Sequence, residues 1–318
     1  LDMKKIFLLS ICALCIVHYA ISQERVEPIP HGDMEQWTVR YIKESALLGG
    51  KTQTLYVLAP TDTIKGNKPF TFENTLWGIS NAYASPAGID KAACPTQPER
   101  RGDGLCARCD TRLITVRALG IIDIRVMVAG TLFLGKVREP VRDAGDPYGA
   151  IEMGVPFTQK PKALMLDYKT KVNPEHKLIK AKIFAVKEID GHDEPEVYVY
   201  LQKRWEEDGK IYAKRVGTMR HRFPTTVSEW QNNARFEIHY GDISKESWFK
   251  PYMDLNPNDG AFKAENSKGK MVHVEEVGWA ADDEQPTHVI LMLTAGCYPA
   301  WYGSPGNAFW IDNVCWVY

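Results

Sequence analysis

Short runs in which apolar and polar residues alternate make up most of this chain. In residues 163–172 one face carries Leu164, Leu166, Tyr168 and Val172, while the other carries mainly aspartate and lysine. A period of two residues is typical of a β-strand, because successive side chains point to opposite faces of a sheet. The other runs of this kind are 113–117, 123–128, 131–136, 178–186, 196–202, 236–240, 271–274, 288–293 and 309–318.

About ten such strands without intervening helical periodicity predict an all-β fold made of two packed sheets. Three stretches depart from the pattern. Residues 34–48 are expected to hold a short helix, residues 244–250 a single turn, and the Pro-, Gly- and Cys-rich region 85–112 a surface loop. Neither a linker nor an internal repeat divides the chain, so residues 23–318 are expected to form a single β-sandwich domain.

The first residues have a different pattern. Lys4 and Lys5 precede an apolar run over residues 6–17, which is too short for a membrane span of about 20 residues. Ala20 and Ser22 supply the small side chains that a signal peptidase accepts, so residues 1–22 are predicted to be a signal peptide. The protein is then exported, to a periplasmic, cell-surface or extracellular location. The alternative is a buried N-terminal helix.

Charge and hydropathy exclude two classes of partner. The sequence has 39 basic and 40 acidic residues, a net charge of −1, so no strong positive field is available for nucleic acid. The lysines of residues 160–187 fall in alternating segments and predict a solvated strand face. After residue 22 no apolar stretch is long enough to span a membrane, so no integral membrane segment is expected in the mature chain.

Five of the seven cysteines follow the predicted signal peptide, and an odd number leaves at least one free thiol. Cys106 and Cys109 have redox-motif spacing but lie in the predicted loop. The preferred interpretation is a disulfide from Cys94 to one of them. Cys297 and Cys315 form either a buried pair or two core thiols.

Several ordered segments together resemble the putative carbohydrate metabolism domain family, whose members are secreted proteins of glycan-degrading gut bacteria. The opening Gly32-Asp33-Met34-Glu35-Gln36-Trp37 is similar to the family's start, and Ala129-Gly130-Thr131-Leu132-Phe133-Leu134-Gly135-Lys136 is the nearest match. The other similar segments are Trp77-Gly78-Ile79-Ser80-Asn81, Gly154-Val155-Pro156-Phe157, Leu166-Asp167-Tyr168-Lys169, Gly303-Ser304-Pro305-Gly306 and Ile311-Asp312-Asn313-Val314. Ala295-Gly296-Cys297 departs from the family, where serines are common.

The resemblance implies a jelly-roll sandwich like those of carbohydrate-binding modules, and a saccharide partner. In similar sandwich modules the opening and closing segments meet on adjacent strands and share a structural calcium ion. Here Asp33, Glu35 and Asp312 would supply the hard oxygen ligands that calcium requires. The alternative is that Asp312 caps a turn or accepts backbone N–H bonds.

Saccharides bind to exposed aromatic rings, because the C–H faces of a pyranose are apolar. Tyr298, Trp301 and Tyr302 occupy a Pro- and Gly-containing turn, where rings are hard to bury, and form the first candidate site. Trp77 and Asn81, with Tyr83, form a second. The alternative for both is that the rings close the ends of the sandwich. Trp310, Trp316 and Tyr318 are expected to share one strand face and to serve packing.

Catalytic chemistry has no signature of its own in the sequence. A glycosidase needs two carboxylates about 5–9.5 Å apart, and the spacing singles out no such pair. The sequence has no nucleophile elbow, Walker loop, dinucleotide fingerprint or HExxH motif. The first hypothesis is therefore a saccharide-binding accessory protein of a glycan-utilisation system, which would act with surface partners in glycan uptake. The alternatives are a glycoside hydrolase and a structural or adhesive surface domain.

Overall fold

The computed structural model describes residues 24–118, 122–143, 145–146, 148–175, 177–182, 185–256 and 261–318. The predicted signal peptide, 1–22, lies outside these residues. Among the residues described, no helix is long and apolar enough to cross a membrane. Within the described ranges the helical elements are three short 3₁₀ helices, Ala46–Leu48, Pro86–Gly88 and Pro251–Met253.

Strands form nearly all the regular structure, which confirms the all-β prediction. The first half of the chain contains β1 (Val26–Pro28), β2 (Trp37–Lys43), β3 (Thr52–Leu58), β4 (Asp62–Lys65), β5 (Trp77–Ile79), β6 (Ala82–Ala84), β7 (Lys91–Ala93), β8 (Thr96–Arg101), β9 (Gly104–Ala118), β10 (Ile122–Ala129), β11 (Thr131–Val137), β12 (Ile151–Met153) and β13 (Val155–Pro156). The second half contains β14 (Ala163–Lys171), β15 (Leu178–Lys182), β16 (Ala185–Ile189), β17 (Glu196–Glu207), β18 (Lys210–Arg222), β19 (Val227–Glu237), β20 (His239–Tyr240), β21 (Lys263–Glu265), β22 (Met271–Trp279), β23 (His288–Thr294), β24 (Tyr302–Gly303) and β25 (Ala308–Val317).

Two large sheets dominate. The first has the order β10-β9-β25-β14-β19, with β8 beside β9 and β1 beside β25. The second has the order β12-β11-β23-β17-β18-β22-β21, with β5, β13 and β20 attached. Pairing is antiparallel except between β18 and β22 and between β2 and β4. Three small sheets, β3-β2-β4, β16-β15-β24 and β6-β7, complete the fold.

One apolar cluster joins the two large sheets. Leu166 and Ile311 of the first sheet and Val199 and Leu291 of the second belong to this cluster, and all four are completely buried. The strands predicted for residues 163–172, 196–202 and 288–293 are therefore confirmed and line a common core, but residues 196–202 and 289–293 are buried on both faces. The architecture is sandwich-like, and the jelly-roll connectivity stays a prediction.

Two predicted departures from strand are wrong. Residues 34–48 hold mainly β2, which pairs with β3 and β4 and buries Arg40 and Ile42, and the helix is limited to the 3₁₀ turn Ala46–Leu48. Residues 85–112 are not a surface loop, since they contain β7, β8 and the start of β9, and β9 pairs with β25. Residues 244–250 form turns, as expected.

The cysteines also differ from expectation. Cys94, Cys106, Cys109, Cys297 and Cys315 are all free, so the predicted disulfide from Cys94 is absent. Cys109 points into the core with Ala107, while Cys106 has the opposite parity on β9 and is not part of the core cluster. Burial raises the pKa of the Cys106 and Cys109 thiols to about 12.

The expectation that Trp310 and Trp316 share a face is wrong as well. Met165 pairs with Cys315, but Asp167 pairs with Asp312, so β25 contains one extra residue between these pairs. Asn313 lies in this β-bulge with φ 51°. A bulge inverts the alternation of side chains beyond it. Trp316 therefore lies in the core, whereas Trp310 lies outside the core cluster, on the opposite face of the sheet from Phe309.

Candidate functional site

The first candidate site is the segment 297–304 between β23 and β25, here called the aromatic loop. Tyr298 is 37% exposed, and Trp301 and Tyr302 are half-buried. The rings of Tyr298 and Tyr302 are stacked, with centroids 6.3 Å apart and planes inclined by 23°. The loop thus presents aromatic surface at the edge of the protein, as its turn sequence predicts.

Trp301 has an unusual backbone. The N–H of Tyr302 donates to the carbonyl of Pro299 at 3.2 Å, which closes a tight turn, and Trp301 has φ 77° within it. The left-handed region costs a residue with a Cβ about 1–2 kcal/mol, and turns normally place glycine there. The Trp301 carbonyl also accepts from the N–H of Ala181 in β15 at 2.7 Å, which holds the turn in place.

A single buried carboxylate fixes both ends of the aromatic loop. Asp193 is 1% exposed, and its two oxygens accept the backbone N–H groups of Cys297 at 2.8 Å and Ser304 at 2.9 Å. Burial raises the pKa of Asp193 to about 6, although these hydrogen bonds oppose the shift. A Cβ at Gly296 would lie 2.8 Å from an oxygen of Asp193, so glycine at this position leaves room for the carboxylate.

Two lysines flank the rings. The Lys180 ammonium lies 5.1 Å from the Tyr302 ring centroid, and Lys182 lies 5.8 Å from that of Trp301. Lys180 is opposite Tyr302 in the pairing of β15 with β24. Neither ammonium has a carboxylate partner among the described side chains. The site therefore combines apolar ring faces with cationic hydrogen-bond donors, a pairing suited to the C–H faces and hydroxyl groups of a sugar.

Sequence analysis missed Asp193, Lys180 and Lys182 as parts of this site. The sequence predicts a solvated strand face for the two lysines, and both are exposed on β15. Which rings that face meets depends on the pairing of β15 with β24, and a two-residue strand carries no sequence signal of its own. Nothing in the local pattern around Asp193 distinguishes it from a surface aspartate.

The second predicted site is wrong. Trp77 has no exposed surface, and its indole N–H donates to the carbonyl of Pro30 at 2.7 Å. Asn81 is 2% exposed, and its amide bonds the backbone of Tyr56 and Thr96. Trp77 is the first residue of β5 and Asn81 lies between β5 and β6, and both are packing residues that cannot contact a saccharide in this structure.

The predicted calcium ligands do not fit a calcium ion. One Asp312 oxygen accepts from Arg101 at 2.6 Å and the other from the backbone N–H of Asn313 at 2.8 Å. Glu35 accepts a backbone N–H of β9, and Asp33 is exposed. In the part of the chain that the structure describes, no three His, Cys, Asp or Glu side chains are grouped to hold a metal. The alternative expectation, that Asp312 accepts a backbone N–H, is confirmed.

Asp167 and Asp312 lie side by side on β14 and β25, and sequence spacing did not reveal this pair. Arg101 Nη1 donates to both carboxylates, at 2.8 and 2.6 Å. Burial raises the pKa of Asp312. At Asp167 burial is outweighed by hydrogen bonds from Asn233, Asn313 and Arg101, so its pKa is lowered. Opposite shifts in adjacent carboxylates are typical of acid–base pairs, but here a guanidinium lies between them.

Comparison with known proteins supplies the family. The model of the putative carbohydrate metabolism domain matches residues 62–315. A solved structure from Bacteroides thetaiotaomicron, described as a putative glycoside hydrolase, is 18% identical with a TM-score of 0.44, over 84% of this chain and 75% of the other.

A protein of the same description from Bacteroides vulgatus is 17% identical with a TM-score of 0.41, over 91% and 94%. Neither likeness is close enough to support an argument about function. No protein with a curated description matches this chain. The family match covers well over half of the sequence, and the chain therefore belongs to the putative carbohydrate metabolism domain family.

Proposed function

We propose that this protein is a saccharide-binding accessory protein without catalytic activity, and that the aromatic loop is its binding site. The observation that carries the proposal is the left-handed backbone of Trp301, with φ 77°. A bulky residue in this region is rare and costly, and strain of this kind is concentrated at ligand-binding sites. A glycine would close the same turn without strain, so the turn itself does not explain the tryptophan.

The surroundings of Trp301 support the same function. The stacked rings of Tyr298 and Tyr302 add apolar surface, and Lys180 and Lys182 supply donors. Asp193 holds both ends of the loop, so the rings are positioned before a ligand arrives. Preorganisation reduces the entropy lost on binding. Membership of a carbohydrate-related family makes a saccharide the expected ligand.

The cellular role follows from the N-terminal pattern. The predicted signal peptide, residues 1–22, implies an exported protein at the cell surface, in the periplasm or outside the cell. A surface saccharide-binding protein would deliver oligosaccharide or polysaccharide to uptake partners.

The test compares saccharide binding by the native protein and three variants on a glycan array. Trp301→Ala and Trp301→Gly each remove the ring and should weaken binding by about tenfold or more. Trp205→Ala removes a tryptophan elsewhere on the protein that is 39% exposed, and it should leave binding unchanged.

Melting temperatures distinguish loss of the site from loss of the fold. Trp301→Gly should be more stable than Trp301→Ala by about 1 kcal/mol, because glycine relieves the left-handed strain. Equal binding by Trp301→Ala and the native protein would refute the proposal.

A glycoside hydrolase is the second candidate, and the opposite pKa shifts of Asp167 and Asp312 favour it. The position of Arg101 argues against it, because the cation neutralises both carboxylates and fills the space that a glycosidic oxygen would need. Release of reducing ends from a glycan panel, abolished by Asp312→Asn, would establish hydrolysis. No release by the native protein would support the binding function.

A further inference from the structure

Three side chains on adjacent strands form a row on the face of the first sheet that points away from the core. They are Trp310 on β25, Lys169 on β14 and Trp230 on β19. Lys169 is directly opposite Trp310 in the strand register. Its ammonium lies 4.5 Å from the Trp310 ring centroid and 5.6 Å from that of Trp230, between the two rings. This set is called the outer-face row.

Three register shifts lie around the row. Besides the bulge at Asn313, β19 has two register shifts against β14. One lies between Leu166 and Tyr168, where Asn233 has φ 52°, and the other lies between Tyr168 and Thr170 and spans Trp230. Both asparagines flank Asp167, which accepts the Asn233 N–H at 2.6 Å and the Asn313 amide at 2.8 Å. Paired bulges on either side of one strand re-aim neighbouring side chains, and bulges are over-represented next to functional sites.

Neighbouring groups fix both rings. The Trp310 indole N–H donates to Glu99 at 2.8 Å. The Arg101 guanidinium lies 4.0 Å from the Trp230 ring centroid and is itself held by Asp167, Asp312 and the Asn232 side-chain carbonyl. Each ring lies beside two cations: Lys169 and Arg108, at 4.5 and 5.1 Å, beside Trp310, and Arg101 and Lys169, at 4.0 and 5.6 Å, beside Trp230. The rings are therefore oriented without a ligand.

Lys169 differs from the two arginines beside it in having no carboxylate partner among the described residues. Arg101 pairs with Asp167 and Asp312, and Arg108 pairs with Glu99 and Asp110. The Lys169 ammonium has neither an ion pair nor a hydrogen bond to any described residue. Three donors are thus free between two aromatic rings.

We infer that the outer-face row binds an acidic saccharide, with Lys169 pairing with a uronate carboxylate while Trp310 and Trp230 stack on the sugar rings. The rings lie two strand spacings apart, about 10 Å, so a ligand that contacts both must be longer than one sugar. The inference rests on the proposal that this protein binds saccharides, but it assigns a site separate from the aromatic loop and names the charge of the ligand.

The probes are oligosaccharides of galacturonic, glucuronic, mannuronic and guluronic acid, each paired with its carboxyl-reduced, neutral form. At least one acidic member should bind, and its reduced form should bind roughly tenfold more weakly, because a charge-assisted hydrogen bond is lost. Lys169→Met should abolish this preference, and Lys169→Arg should retain it. Lys171→Met removes an exposed lysine two residues along the same strand and should have no effect.

Failure of this inference and of the proposed function can be told apart. If Trp301→Ala loses saccharide binding while Lys169→Met and Trp310→Ala bind the acidic probes as the native protein does, the aromatic loop is the site and the outer-face inference is wrong. If no acidic probe binds more tightly than its reduced form, the inference is also wrong. Loss of acid preference in Lys169→Met but not in Trp301→Ala supports it.

Discussion

Asp167 and Asp312 share one hydrogen-bond donor, Nη1 of Arg101, at 2.8 and 2.6 Å. Both carboxylates are at least nine-tenths buried, and the positive charge of Arg101 offsets the repulsion between them. Removal of one member of a buried ion-pair network leaves an uncompensated charge, which is more costly than loss of the contact alone.

Arg101→Met should lower the free energy of unfolding by about 3 kcal/mol, because Asp167 and Asp312 would repel each other without a counter-ion. Urea denaturation measures the change. Arg100→Met is the matched control, since Arg100 is exposed in the same strand and forms no ion pair among the described residues. Adding Asp312→Asn to Arg101→Met should restore part of the loss. If Arg101→Met and Arg100→Met are equally stable, the network contributes nothing.

The bulge at Asn313 can be tested by two substitutions. Valine is favoured in ordinary strands and glycine is not. At φ 51° this order should reverse, so Asn313→Val should be less stable than Asn313→Gly by about 1–2 kcal/mol. Thermal unfolding of the two variants gives the comparison. A more stable Asn313→Val would show that β25 runs through residue 313 without a bulge.

The same bulge marks the limit of what the sequence could predict. Periodicity identified β14, β17, β23 and β25 as strands, although β17 over residues 196–202 and β23 over residues 289–294 are buried on both faces. Periodicity gave the wrong face for Trp310, because one inserted residue inverts the side-chain alternation beyond it. A single asparagine such as Asn313 does not reveal a β-bulge in the sequence. Periodicity also failed at residues 85–112, where polar Glu99 and Arg101 resemble loop residues but are paired in the structure with Trp310 and Asp312.

Among the candidate site residues, too, some could be predicted from the sequence and others could not. The partial exposure of the aromatic loop was predictable, because three aromatic residues in a Pro- and Gly-containing turn are difficult to bury. The burial of Trp77 was not predictable, since a tryptophan next to a glycine occurs both in covered strands and in exposed ones. The assignment of Asp193 and Lys169 to a site depends on their contacts with residues distant in the sequence. The pattern of a single sequence contains no information about such contacts.

The five free cysteines give a third prediction. Because none of these five thiols forms a disulfide in the structure, a reducing agent should leave the melting temperature unchanged. Burial raises the pKa of Cys106 and Cys109 to about 12, so both thiols should resist alkylation at pH 8 in the native protein and react after unfolding. Mass spectrometry of alkylated peptides measures this. A Cys94–Cys106 or Cys94–Cys109 linked peptide would contradict the structure.

The buried carboxylate of Asp193 should make stability depend on pH. Its pKa is raised from 3.8 to about 6, chiefly by burial, with Glu196 adding to the shift. Between these two values the native state retains a proton that the unfolded state releases. The free energy of unfolding should therefore fall as pH rises through this window, by up to about 3 kcal/mol from this group.

His288 contributes with the opposite sign, so only a comparison of variants isolates Asp193. Burial lowers the pKa of His288 from 6.5 to about 4, and the contribution of His288 to stability grows as pH rises over the same range.

Asp193→Asn should be less stable than the native protein at pH 4, because the amide cannot accept both N–H groups of the aromatic loop. The difference should shrink towards pH 7, because the variant has no buried charge to form. Urea denaturation of both proteins at pH 4, 5, 6 and 7 tests this. A difference that stays constant or grows with pH would mean that Asp193 titrates as an ordinary exposed carboxyl group, and the aromatic loop would then lack the buried anchor that positions its rings.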